Sequence, residues 1–449
     1  MLPALRLSTL LVIAACGVNA AVAADRRMTE DYVRVAMPPD FHVEPTEMDG
    51  PVFANGQGKT LYVWPFRRMR NGLTGDAKGK TACGDKPYIE TAGLMSPYPP
   101  GLELPDLDMR PACTDMWIPV LAGANDQPVG DWSFITRSDG TKQWSYNEQA
   151  LYTSNFDRRP GDVLGDTSRR GGGDSPAARR PIGPPPNVPP GFSVITQTSG
   201  RILTTNEGYS VYFSDRDSAK ASLCKGACAE KWAPILAPDV AQPQGQWTIM
   251  ERTPGVKQWV FRGKPVYRHS LDTYRGSVEG GDEAGWHNFY TQKAPEPPPG
   301  FTVQTTTVGY VLADSRGRSI YIYNCGDDSF DQLRCDHPDT TQAYRMAMCG
   351  AGDPARCLKT WPMIPADPNA KSGSQVWSVV AIDPKTGKRA TADQADAMYV
   401  WAFRERPVYT FAGDKQPGDV NGDGRGEWRG GRNGFRAFML RDDFLGNTD

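Results

Sequence analysis

The stretch "CKGACAEKWAPIL", Cys224 to Leu236, decides the fold because the chain writes it three times. It returns as "CTDMWIPVL" from Cys113 and as "CLKTWPMIP" from Cys357, each with a Trp four residues after the Cys and a Pro beside a short apolar run. Three divergent copies of one module are therefore expected to fill nearly all of the chain. Each copy is preceded by the same approach: "PPDFHV" at Phe41, "PPGFSV" at Phe192 and "PPGFTV" at Phe301. The Pro pair stiffens the backbone, and the Phe and Val that follow, two apart, point to one face of a first strand.

After this approach come two strands around a turn, clearest in "RILTTNEGYSVYFSD" and "YVLADSRGRSIYIYN" and also present in "VFANGQGKTLYVW". "EG" and "RG" supply a residue tolerant of positive φ between β-branched and aromatic runs, as a hairpin requires. Beyond the Cys loop, "WTIMERTPGVKQWVFRGKPVYRHS" alternates Trp259 and Phe261 with polar residues, and the other copies carry matching stretches. The fold class is thus all-β, with three tandem homologous modules of about six short strands each. A small disulfide-tied sandwich or barrel is expected for each, and a closed propeller-like ring is the alternative.

The expected boundaries are 38–164, 189–293 and 301–449. The segment 165–188 is dense in Gly, Pro and Arg and poor in apolar residues, which reads as a flexible linker. The Pro-rich 294–300 reads as a short, stiffer one. A chain of 449 residues gives the same count of three on the prior of roughly 150 residues per domain. The insertions between the Cys residues of the first and third copies are the least repetitive parts of the chain.

The N-terminus reads as an export signal. Arg6 precedes an apolar run, and "AVAAD" offers a cut after Ala23, giving a signal peptide over 1–23 and a periplasmic or secreted protein. The competing reading is a lipobox ending at Cys16, which would make a membrane-anchored lipoprotein. No later apolar run reaches the roughly 18 residues that cross a bilayer, so no transmembrane segment is expected in the mature chain. A formal net charge of -2 excludes a global basic field for nucleic acid.

Nine Cys less Cys16 leave eight, an even number that reads as disulfides in an oxidising compartment. Alignment on the Trp puts Cys113, Cys228 and Cys357 in one column, with Cys83, Cys224 and Cys349 as their upstream partners. Cys325 and Cys335 remain as an extra pair.

Other constellations are weighed against structural roles. Asp157, Asp272 and Asp414 share a column just before a turn and are candidate binding residues, with turn acceptors as the simpler reading. "DVNGDGRGE" imitates a calcium loop through Asp419, Asn421, Asp423 and Glu427, but Gly430 stands where a bidentate Glu belongs. The simpler reading there is a Gly-rich turn. The Trp columns are sugar-stacking candidates or core. No cofactor is nominated, and hydrolase and haem signatures are absent from the sequence.

A Tyr with an Asp five residues on resembles the bacterial family called secreted repeat of unknown function, predicted lipoproteins with a Tyr-x-(Phe/Trp/Tyr)-x-x-Asp motif. The motif is complete in "YTFAGD", Tyr409 to Asp414, and partial in "YTSNFD" from Tyr152, "YRHSLD" from Tyr267 and "YFSDRD" from Tyr212. "YVWPFR" ends in Arg67, and "YIYNCGD" has Tyr321 and Tyr323 with the acid displaced by one. The resemblance implies export and a repeated β fold and carries no activity. The leading expectation is a non-enzymatic envelope binding or scaffold protein whose partner is an unknown envelope protein or glycan. The alternatives are a glycan- or cell-wall-binding array, with exposed Trp or Tyr, and an enzyme or metal-dependent redox partner, with Asp272, His269 and His287 converging.

Overall fold

The computed structural model describes residues 30–69, 72–89, 99, 101–103, 109–166, 169–170, 173–174, 179–273, 276–324, 338–339, 353–427 and 432–440. The signal segment 1–23, Cys16, Cys325, Cys335 and Cys349 lie outside these residues.

The architecture is all-β, in small antiparallel sheets, and its plan is clearest between Phe192 and Lys293. Phe192–Gln197, Gly200–Thr205 and Tyr290–Lys293 form one sheet, in that order. Trp247–Thr253, Val256–Phe261 and Lys264–Pro265 form another. Between them a four-stranded sheet runs in the order Trp232–Pro234, Tyr267–His269, Tyr212–Ser214, Trp286–Asn288. This unit has ten strands rather than about six. Several are only two to four residues long, too short for side-chain alternation to reveal them.

The sheet order is palindromic, because the unit is two half-repeats of like sequence that exchange their ends. The first half runs from the hairpin at Phe192 through Tyr212 to Trp232, and the second from the hairpin at Trp247 through Tyr267 to Trp286. Each half gives its last strand to the other: Trp232–Pro234 pairs with Tyr267–His269, and Trp286–Asn288 pairs with Tyr212–Ser214. The chain then continues onto the partner's hairpin, with Trp259 donating to the Ile235 carbonyl at 3.1 Å and Leu203 to that of Phe289 at 2.9 Å.

The same arrangement occurs twice more. In the first unit Trp144 donates to Val120 and Phe53 to Ile182, both at 2.8 Å; in the third Trp401 donates to Ile364 and Leu312 to Phe438, both at 2.9 Å. One consequence concerns the segment 165–188. Arg180–Pro181 is the fourth strand of the first unit's central sheet, paired with Tyr62–Val63. Arg179 is fully buried, and Pro186 bridges to Tyr32. A Gly/Pro/Arg-rich composition hides this because two residues carry the pairing, and the large side chain buried beside them, Arg179, is charged.

Successive residues of a strand face opposite ways, so each central strand feeds two cores. Val211 enters a cluster with Phe192, Leu203, Trp247, Trp259 and Phe289, while Tyr212 enters one with Cys224, Trp232 and Tyr267. Leu61 and Tyr62 divide in the same way, as do Ile320 and Tyr321. The expected outward polar face beside Trp259 and Phe261 is absent: Val260 is fully buried, and Gln258 is buried and donates to the Val266 carbonyl at 2.9 Å.

The three units meet around the turn from Thr46 to Gly50. Met48 is buried in the third unit's core. Arg404 grips both Asp49 oxygens at 3.0 and 2.8 Å, and Glu47 accepts from Ser374 Oγ and Gln375 N at 2.7 Å each. From the second unit, Gln292 donates to Thr46 O at 2.6 Å and accepts from Gly50 N at 2.8 Å. Arg201 forms a bidentate pair with buried Glu30 at 2.6 and 2.7 Å.

Candidate functional site

The recurring tyrosines and acids converge at the centre of each unit, and they do so crosswise. Tyr212 donates not to Asp217 of its own motif but to Asp272 Oδ2 of the other half, at 2.8 Å. Tyr267 donates to Asp217, the acid of the first half. In the first unit Tyr62 donates to Asp157 Oδ2 and Tyr152 to Asp76 Oδ2, both at 2.8 Å. In the third, Tyr321 donates to Asp414 Oδ2 at 2.7 Å. The Tyr-to-Asp spacing therefore does not join a pair; it places one donor and one acceptor on the two sides of an exchange.

Each carboxylate's other oxygen holds a loop. Asp157 Oδ1 accepts from Leu164 N and Asp414 Oδ1 from Asn421 N, both at 2.9 Å, while Asp272 Oδ1 accepts from Ser277 Oγ at 3.0 Å. Asp76 Oδ1 accepts from Ala82 N at 2.7 Å and Asp217 Oδ1 from Leu223 N at 2.8 Å, fixing the residue before Cys83 and Cys224. Those cysteines are bonded to Cys113 and Cys228, with Cα separations of 5.2 Å in both bridges. Cys357 is also disulfide-bonded, its partner lying outside the described residues.

Burial sets the protonation of these groups. It pushes the Asp157 carboxyl up to about 8, against the lowering hydrogen bonds from Tyr62 and Leu164, and Asp76 up to about 6. Burial also raises Asp414. Tyr267 is pushed up to about 12 by burial and then by Asp217, and Tyr62, Tyr152, Tyr212 and Tyr321 rise for the same two kinds of reason. The phenols thus stay protonated and act as donors.

Aromatic rings close the site. Trp117, Trp232 and Trp361 meet Tyr62, Tyr212 and Tyr321 edge-on at 5.4, 5.3 and 5.4 Å. Where the two halves face each other, Trp232 stacks on Trp286 at 3.9 Å and Trp361 on Phe435 at 3.6 Å. In the first unit Arg179 holds the place of Trp286, 4.5 Å from the Trp117 ring and 4.0 Å from that of Trp64. The position two after the motif Tyr shares its face, and there His269 and Phe411 cover the Trp at 4.3 and 4.4 Å.

Sequence reasoning missed a V-x-G column, although the letters were legible: Val163 and Gly165, Val278 and Gly280, Val420 and Gly422. A Cβ on any of these glycines would lie 2.4 to 2.8 Å from the six-membered ring of Trp117, Trp232 or Trp361. The peptide N–H groups of Gly280 and Gly422 donate to the Tyr212 and Tyr321 hydroxyls at 3.4 and 3.2 Å. This column explains the calcium-like "DVNGDG". Asn421 and Gly422 present backbone N–H groups to the Asp414–Tyr321 pair. Asp419 accepts from Lys415 N and Gln416 N, and Asp423 accepts from Ala437 N. The Glu427 side chain is not described. Among the described residues no group of three or more His, Cys, Asp or Glu is placed to hold a metal ion.

The expected convergence of Asp272, His269 and His287 is replaced by separate partners. His287 bonds Asp215 at 2.9 Å, buried His269 lies 3.5 Å from Glu283, and Asp272 serves Tyr212. Both Trp columns are buried: Trp117, Trp232 and Trp361, and likewise Trp132, Trp247 and Trp377. A groove of about 310 Å³ lies in the first unit, lined by Asn55, Gln57, Lys59, Ile118, Leu121 and Asn155 among others. In the second unit the corresponding place is taken by Arg268 lying over the Tyr209 ring at 4.3 Å.

No helix among the described residues is long and apolar enough to cross a membrane. No curated protein and no solved structure matches the chain. A family model does match, and its two segments contain different halves of the crossed arrangement: one holds Tyr212, Asp217 and Trp232, the other Tyr409, Asp414 and Gly422. At residues 193–235 and 390–429 the chain is similar to the family described as secreted repeat of unknown function.

Proposed function

We propose that this is an exported, non-enzymatic binding or scaffold protein of the cell envelope, whose recognition surface is set by the parts in which its units differ. One observation carries the reading: the repeated tyrosines, acids and tryptophans are turned inward and bonded to each other. Asp157 is 1% exposed with both oxygens engaged, and Trp117 and Trp232 are at most 2% exposed. Groups so committed build the frame, because taking a buried polar group from its partner costs roughly 1–3 kcal/mol. What remains free to differ is exposed, such as residues 84–87 and 101–103 of the loop closed by Cys83 and Cys113, and the groove of the first unit.

The test is cross-linking in intact cells with two variants. One replaces residues 86–110 by a short Gly-Ser loop, and the other is Tyr212→Phe. Cross-linked species should vanish with the loop replacement and persist in Tyr212→Phe. Loss in a folded Tyr212→Phe protein, with retention in the loop variant, would transfer function to the paired residues and refute the proposal.

A further inference from the structure

The disulfide of the first unit has a charged group against one of its sulfurs. Arg179 Nη2 lies 3.0 Å from Cys113 Sγ, and its guanidinium is fully buried between Trp64 and Trp117. At the same place in the second and third units stand Trp286 and Phe435, which stack on the column Trp without charge. The stacking role is thus met by an aromatic ring twice, and of the two described bridges the first unit's has a guanidinium against its sulfur, whereas Arg252 in the second unit donates to the Cys224 carbonyl. A guanidinium contributes little to a neutral disulfide. It strongly favours a thiolate, because a cation beside a cysteine lowers its pKa from the usual ~8.5.

We propose that Cys83–Cys113 is a redox-responsive bond, opened by a dithiol reductant attacking Cys83, with Cys113 leaving as a thiolate held by Arg179. In the first step a reductant thiolate bonds to Cys83 Sγ, the Cys83–Cys113 bond breaks, and the electron pair stays on Cys113 Sγ. In the second, the reductant's other thiolate attacks its own sulfur in the mixed disulfide. Cys83 is released and takes a proton from water, and the reductant leaves as a disulfide carrying away the oxidation. Two electrons pass to the protein. A leaving thiol of lower pKa leaves faster, and stabilising the reduced form makes the bond more oxidising. Opening removes the covalent closure between Cys83 and Cys113, a sequence separation of 30, and leaves the pairing of Pro87–Ile89 with Met109–Ala112 and the Asp76–Ala82 bond to hold the loop ends.

The experiment equilibrates the full-length oxidised protein with graded ratios of reduced to oxidised dithiothreitol. Freed thiols are then trapped by alkylation and assigned by peptide mass spectrometry. Arg179→Phe installs the residue type found at Phe435 and keeps the stacking. It should raise the ratio needed to half-reduce Cys83–Cys113 by about tenfold, the equivalent of one pKa unit on Cys113. Cys224–Cys228 in the same molecules should not move. An unchanged midpoint for Cys83–Cys113 overturns the proposal. Should Arg179→Phe fail to fold, the reduced wild-type protein decides: Cys113 should alkylate with a pH midpoint at least one unit below that of Cys83, and equal midpoints overturn it.

Discussion

Asp157 offers a measurement in which the chemistry of the frame shows as a slope. Its carboxyl is held up to about 8 by burial, against about 3.9 in an unfolded chain. Between these values the folded protein keeps a proton that the unfolded chain has lost, so stability is greatest at low pH and falls as pH rises towards 8. One proton gives a slope of about 1.4 kcal/mol per pH unit, hence a loss of about 3 kcal/mol between pH 5 and pH 7. Asp157→Asn keeps an oxygen for Tyr62 or Leu164 and cannot titrate. Urea unfolding followed by Trp fluorescence at pH 5, 6, 7 and 8 supplies the test, since Trp117 lies 5.4 Å from Tyr62. Asp76 contributes a loss in the same direction up to about 6, but it is present in both proteins and cancels in their difference. The difference between wild type and Asp157→Asn should decline by about 1.4 kcal/mol per unit from pH 5 to 7 and level off above 8. Parallel curves would show that the carboxyl is not held neutral. A difference growing with pH would show that the ionised form is the favoured one.

Other expectations concern packing and assembly. Gly280→Ala should cost about 1–3 kcal/mol, the usual penalty of overpacking, because the new methyl would lie 2.4 Å from Trp232; thermal unfolding measures it, and an unchanged melting temperature would refute the close approach. Arg404→Met leaves Asp49, 7% exposed, without its bidentate partner and should cost about 3–5 kcal/mol, most of it regained when Asp49→Asn is added. Failure of the second substitution to restore the melting temperature would show that Arg404 acts through something other than Asp49.

Much of the fold could be read from the letters. The Cys loop with its Trp fixed the all-β repeat, and the turns at Gly208 and Gly317 do take positive φ, 92° and 76°. The repeat length was the harder matter. The Tyr-x-x-x-x-Asp motif occurs twice in the second module, and the first and third keep one copy beside a degenerate one at Tyr62 and Tyr321, which points to a half-unit, but a linear motif invites pairing of its own Tyr and Asp. Exchange between halves is invisible in sequence because it depends on which strand lies beside which. Arg179 was hidden for a related reason. Buried arginines are rare, and nothing local marks this one; only its register opposite Trp64, shared with Trp286 and Phe435, shows its place. The calcium-like loop misled through side chains, whereas its working groups are backbone N–H donors.

The crossing of the two halves is tested most directly by double-mutant cycles on the second unit, combining Tyr→Phe and Asp→Asn and reading unfolding free energies. Tyr212 with Asp272, and Tyr267 with Asp217, should show coupling of about 0.5–3 kcal/mol, as residues sharing a buried hydrogen bond do. Tyr212 with Asp217, and Tyr267 with Asp272, should add to within about 0.5 kcal/mol. Strong coupling inside each motif and none across the halves would contradict the exchange and, with it, the frame built here.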